Sequence, residues 1–66
     1  MSEKIYDLLY VKYGRIVLDK KEAAAELQCS VQTIDRMRLS GDIRSKMVRG
    51  KVLFNIDEVA RFLDEV

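Results

Sequence analysis

Between residues 32 and 51 the chain carries Gln32, Thr33, Asp35, Arg36 and Arg38, then Arg44, Lys46, Arg49 and Lys51. These side-chain types suit nucleic acid. A glutamine amide matches the edge of adenine, a guanidinium matches guanine, and any cation can hold a phosphate without reading sequence. Gln32, Thr33 and Arg36 are the expected base readers, with Asp35 on the same polar front. Arg38, Arg44, Lys46, Arg49 and Lys51 are the expected phosphate contacts. Other chemistries have little to work with. The chain has no histidine and one cysteine, Cys29. It has no cluster of metal ligands and no phosphate-cradling loop, so neither an enzyme nor a cofactor is expected. With no histidine to activate it, Cys29 reads as a small apolar residue in a turn.

Net charge is +1 over 66 residues, and it hides an asymmetry. Residues 28–51 hold Arg36, Arg38, Arg44, Lys46, Arg49 and Lys51 against Asp35 and Asp42, a balance of +4. Residues 52–66 hold Arg61 against Asp57, Glu58, Asp64 and Glu65, a balance of −3. Residues 1–27 are balanced. The positive charge is therefore concentrated where a DNA-facing surface needs it.

Those residues must be held by the stretch 19–41, DKKEAAAELQCSVQTIDRMRLSG. It reads as two short helices joined by a tight turn. Asp19 caps the first, and Glu22 three residues on completes a capping box. Ala23, Ala24 and Leu27 form its apolar stripe, and the two alanines let a second backbone come close. Gln28-Cys29-Ser30 is the turn. Ser30 caps a second helix at Val31–Ser40, and Gly41 ends it. Ile34 and Met37 share one face of that helix, which leaves a hydrogen-bonding front. A short helix with an apolar back and a polar front is what the major groove accepts. Ala24, Gln28 and Ile34 fall at the spacing of a helix-turn-helix.

The rest of the chain completes the frame. Ser2–Tyr13 reads as an additional helix within residues 1–14, capped by Ser2, favoured by Glu3 near its start and stopped by Gly14. Ile5, Leu8 and Leu9 are its expected inward stripe. Tyr6, Tyr10 and Tyr13 widen the apolar surface, as core and rim residues or as a self-association patch. Residues 15–18 are a short extended run that can pair with a later hairpin. Ile43 turns inward. Lys46–Val48 and residues 52–54 flank Arg49-Gly50-Lys51 and read as a hairpin wing over 46–54. Asn55 is expected to cap the last helix, 56–64, in a box with Glu58 and a staple of Phe54 on Val59. Asp57 and Glu58 then read as capping charges, not catalytic carboxylates. The fold class is mainly α with a small β-hairpin, a winged helix-turn-helix spanning 1–66 as one domain. No run reaches the roughly 20 apolar residues of a membrane span. The lone thiol and the lack of a signal-peptide pattern point to the cytoplasm.

This order of elements resembles the small winged helix-turn-helix proteins of the phage excisionase and AlpA-like regulator group, akin in design to the DNA-binding head of MerR regulators. The resemblance rests on VLDKKEAAAELQCSVQTIDRMRLSGDI and MVRGKVLFNIDEVARFL, within residues 17–63. Glu22, Ala23, Ala24, Leu27, Ser30, Ile34, Gly41, Gly50, Asp57 and Phe62 match the family pattern. Gln28 stands where the family uses glycine, Cys29 where it uses valine or isoleucine. Met47 and Val52 fall near the wing's usual arginine and aromatic. The additional N-terminal helix lies outside the common pattern. The resemblance implies a recognition helix in the major groove and a wing tip on the adjacent backbone or minor groove of double-stranded DNA. It further implies a DNA-bending excision factor working with a recombinase, or a small transcriptional regulator of a mobile element. The competing class is a protein-interaction module that keeps the winged fold without binding DNA.

Overall fold

The two alanines, the capped turn and the hairpin all appear in a computed structural model that describes the backbone of residues 2–65 and the side chains of residues 4–65. The cap expected from Ser2 and the dipole contribution of Glu3 lie outside the described side chains. The elements run α1 (Ser2–Tyr13), β1 (Val17–Asp19), α2 (Lys20–Leu27), α3 (Val31–Ser40), β2 (Lys46–Val48), β3 (Lys51–Asn55) and α4 (Ile56–Glu65).

The helix-turn-helix forms as its residues dictate. The Asp19 carboxylate accepts from the Glu22 N–H at 2.8 Å, and Glu22 accepts from the Asp19 N–H at 3.0 Å. Both halves of the capping box are made. At the other end of α2, Gln28 is left-handed (φ 57, ψ 45). Its N–H reaches Ala25 O at 3.2 Å and the Cys29 N–H reaches Ala24 O at 2.9 Å, a Schellman closure. Ser30 then starts α3 by accepting from the Thr33 N–H at 3.1 Å. Gly41 (φ 87) closes α3 in the same way, with Asp42 N–H to Met37 O at 2.9 Å.

The extended run before α2 joins the wing. β1 and β2 both pair antiparallel with β3, in the order β1-β3-β2. Leu18 faces Phe54, Asp19 faces Leu53 and Met47 faces Val52. Alternation puts Leu18 and Phe54 on one side of the sheet, where both are fully buried. They meet Ala23, Ala24, Ile34, Ile43, Ile56, Val59 and Ala60 in one core, with Leu27, Cys29, Met37, Phe62 and Leu63 packed at its edge.

Three expectations are corrected. The wing turn has two residues, Arg49-Gly50, because Lys51 already pairs with Val48 in β3. The second capping box is not made. Asn55 is the last residue of β3, paired with Val17, and the first N–H of α4, from Ile56, goes to Ile16 O at 2.9 Å. The Asn55 Oδ1 is buried without a hydrogen-bond partner, while Glu58 accepts from the Arg44 N–H at 3.0 Å and pairs with Arg61 at 2.7 Å. The strand ladder sets the Asn55 backbone, and Glu58 finds cations elsewhere. The inward stripe of α1, which packs on α4, is Leu9 with Ile5, Tyr6 and Tyr13. Leu8 lies about 100° around the helix from Leu9 and is 63% exposed. Of the tyrosines, Tyr6 and Tyr13 pack against the core, and Tyr10 stacks on Tyr6 from outside at 6.5 Å. Tyr13 donates to Glu26 at 2.5 Å; burial and that acidic partner push its phenol up to about 12.

Gln28 is exposed, so its left-handed backbone costs roughly 1 kcal/mol without compensation from packing. Gln28→Gly is expected to leave the melting temperature unchanged or raise it by up to about 4–8 °C. Gln28→Val, β-branched at a positive φ, is expected to lower it. Thermal melts of the three proteins check this, and a loss on Gln28→Gly contradicts it.

Candidate nucleic-acid interface

The front of α3 is built by what its back must bury. Ile34 is fully buried and Met37 partly so. One half-turn away, Gln32, Arg36 and Leu39 are exposed, at the i, i+4, i+7 spacing that lines one helical stripe. Neither Gln32 nor Arg36 makes a hydrogen bond or ion pair among the described residues. Leu39 is 76% exposed between them and the helix end. Sequence reasoning passed over it, although its spacing from Arg36 placed it on the same front.

Asp35 and Arg38 are placed differently. The Asp35 carboxylate accepts from Arg38 Nη2 at 2.9 Å and Nε at 3.2 Å, and from Lys20 Nζ at 3.1 Å. Arg38 hydrogen bonding, then Lys20, holds this carboxyl below the usual aspartate range. The triad fastens the first residue of α2 to the middle of α3. Arg38 and Asp35 therefore brace the front of α3 at its flank, with their polar atoms already engaged. Thr33 is half-buried in the α3 cap, its hydroxyl 3.0 Å from that of Ser30.

The wing tip is a two-residue turn with positive φ at both Arg49 (φ 52) and Gly50 (φ 76). A type I′ hairpin turn requires that pattern and normally fills its first position with Asn, Asp or Gly. An arginine there is strained, a condition that clusters at functional sites. Arg49 and Lys51 are exposed, with no acid bonded to either among the described residues. A groove lined by Asp19, Lys20, Lys21, Gly50, Lys51 and Val52 runs from the tip to the start of α2. It brings Lys20 and Lys21 beside Lys51. These two lysines were missed in the sequence, where they read only as the first turn of a capped helix.

Arg44 and Lys46 lie elsewhere. They line a groove with Ser45, Asn55, Asp57 and Glu58. Arg44 also borders a second groove, with Gly41, Asp42, Glu58 and Arg61. The Arg61 hydrogen bond, with help from the Arg44 N–H, holds the Glu58 carboxyl below its usual range against a smaller opposing effect of burial. Arg61 is itself engaged with Glu58 and Glu65. The basic segment thus divides. Gln32, Arg36, Lys21, Arg49 and Lys51 present exposed polar groups on α3, the α2 start and the wing. Arg44 and Lys46 sit among the acids of α4.

The family profile of the Helix-turn-helix domain matches residues 17–66, everything from β1 onward and nothing of α1. No curated protein and no solved structure matches the chain. Among the described residues no group of three or more His, Cys, Asp or Glu is placed to hold a metal ion. No helix among them is long and apolar enough to cross a membrane.

The ion pairs make stability depend on acid. Asp35 and Glu58 have lowered carboxyl pKa values, as does Glu26, where bonds from Lys12 and Tyr13 outweigh the opposing effect of burial. A carboxylate whose folded pKa is depressed stabilises the fold above its unfolded value, roughly 3.9 for Asp and 4.3 for Glu, and that stability is lost as pH falls through the folded value. The melting temperature is therefore expected to hold steady from neutral pH to about pH 5 and to fall below about pH 4. Asp35→Asn is expected to lower it at neutral pH and to flatten the acid limb. Equal acid limbs for the two proteins, in melts across that range, would show that the triad adds nothing.

Proposed function

The chain belongs to the Helix-turn-helix domain family, and from that premise we propose that it is a sequence-specific DNA-binding protein. The observation that carries this reading is the stripe of Gln32, Arg36 and Leu39. Its polar ends are unpaired among the described residues, on a helix whose back is locked into the core. With α3 in the major groove, Arg36 faces a guanine and Gln32 an adenine, and Leu39 offers an apolar contact to a thymine methyl. Thr33 approaches from the helix start. Arg49 and Lys51 reach the neighbouring backbone or minor groove from the wing, with Lys21 holding phosphate between wing and helix. Arg38 stays bound to Asp35 as a brace of the helix, and Arg44 and Lys46, set beside Asp57 and Glu58, contribute less than the exposed cations of the wing. The role that fits the resemblance over residues 17–63 is an excisionase-like DNA-bending factor that assists a recombinase, or a small transcriptional regulator of a mobile element. A single module of this size covers only about 600–1,000 Å² of its own surface on DNA, so useful affinity comes from several copies on adjacent sites.

Two measurements test this. Selection of bound duplexes from a random pool should yield a short motif, and Arg36→Ala should cost about 1–3 kcal/mol on it and relax preference at one position. Unchanged affinity and preference with the fold intact would remove α3 from the role of reader. Replacing Arg49 and Lys51 together with alanine should weaken binding alike on all sequences. It should also reduce the magnitude of the log–log salt slope by about 2, near 0.9 per phosphate contact. An unchanged slope would take the wing off the DNA.

A further inference from the structure

Leu39 is 76% exposed and stands on the stripe of α3 that carries Gln32 and Arg36, opposite the fully buried Ile34. It follows Arg36 by three residues, so the two side chains are neighbours on the helix surface, about 4.5 Å apart along its axis. The polar groups around Leu39 are already taken. Asp35, one turn back, accepts from Arg38 at 2.9 Å and from Lys20 at 3.1 Å. The Ser40 hydroxyl has Met37 O at 3.1 Å and an Asp42 carboxylate oxygen at 2.9 Å to donate to. Arg36 makes no hydrogen bond or ion pair among the described residues. This end of the stripe therefore offers a ligand one alkyl group beside one uncommitted guanidinium.

We propose that Leu39 reads the 5-methyl group of a pyrimidine beside the guanine held by Arg36, so that a cytosine at that place is favoured only when it is methylated. The inference rests on the DNA-reading role of α3 proposed above and goes beyond it, by making recognition depend on a covalent mark as well as on sequence. Among the groups that base pairs present in the major groove, the 5-methyl of thymine is the one alkyl group, set among hydrogen-bond donors and acceptors. 5-Methylcytosine carries the same methyl at the same ring position. Leucine has no polar atom with which to separate O4 of thymine from the N4 amine of cytosine, and its polar neighbours are occupied. The two methylated pyrimidines are therefore alike to it, and bare cytosine is not. A separation of about 4.5 Å along α3 suits neighbouring base pairs, which lie about 3.4 Å apart. Burial of one methyl group against Leu39 is expected to raise affinity about fourfold.

The test uses a duplex recovered by selection from a random pool. The position concerned is the one at which Leu39→Ala relaxes preference, and duplexes are made with thymine, deoxyuridine, cytosine or 5-methylcytosine there. For the full chain, thymine over deoxyuridine and 5-methylcytosine over cytosine should each gain about fourfold, and Leu39→Ala should erase both gains. The thermal melt of Leu39→Ala should stay that of the parent, because Leu39 lies outside the core. Arg36→Ala should weaken binding to every duplex and leave both gains in place. Equal binding of all the duplexes, with Arg36→Ala still weakening it, overturns the methyl reading and leaves α3 as the reader. Gains that survive Leu39→Ala overturn it, as do a gain at thymine with none at cytosine and a selection in which Leu39→Ala relaxes no position. No binding to any duplex overturns the DNA-binding reading itself, and this inference with it.

Discussion

The left-handed residue between α2 and α3 governs how the remaining parts are set. Gln28 ends α2 with two backbone bonds to Ala24 and Ala25, and only two residues separate it from the first residue of α3. That short connection leaves the chain little choice of crossing geometry. Ala23 and Ala24 supply the clearance, and Ile34 fills the space the crossing leaves. The orientation of α3 is thereby fixed before the wing or α4 contributes. Gln28 bears the backbone cost at a place where glycine would adopt the conformation freely, and the turn forms regardless, because both flanking helices are capped and buried.

Electrostatics then sort the cations. Asp35 could have been one more polar group on the front of α3. Its bonds to Lys20 and Arg38 make it a cross-brace between the two helices. That leaves Gln32 and Arg36 as the uncommitted polar groups beside it. In a separate groove, Asp57 and Glu58 of α4 border Arg44 and Lys46 and lower the local potential there. A net charge near zero is therefore compatible with exposed cations at Lys21, Arg36, Arg49 and Lys51, because Asp35 is bound to Arg38 and Lys20 and four of the acids lie in α4.

What the sequence could reveal depended on how local the cause was. The Asp19–Glu22 box, the Ser30 cap and the Gly41 stop are each set within a few residues, and each appears where its residue type places it; the left-handed Gln28 follows from its place in the turn and against its residue type. Asn55 shows the limit. Its spacing from Glu58 is right for a capping box, but pairing with Val17, 38 positions away in the chain, claims the Asn55 backbone, and Glu58 turns to Arg44 and Arg61. Leu8 was misplaced for a related reason. With Ile5, Leu8, Leu9 and three tyrosines, α1 is apolar over most of its circumference, so periodicity alone does not say which side meets α4. Lys20 and Lys21 became interface candidates only because strand pairing carries the wing tip back beside the start of α2. No local pattern encodes that approach.

The central claim is that the front of α3 and the tip of the wing form one DNA-reading surface, and it can be mapped residue by residue. Backbone amide shifts of the labelled chain, recorded as a selected duplex is titrated in, report where the DNA lands. The account predicts that the largest changes fall at Gln32, Arg36 and Leu39 in α3, at Arg49 to Lys51 in the wing and at Lys21, with α4 little affected. Changes centred on α1 and α4 with α3 silent, or no change at saturating duplex, would contradict it.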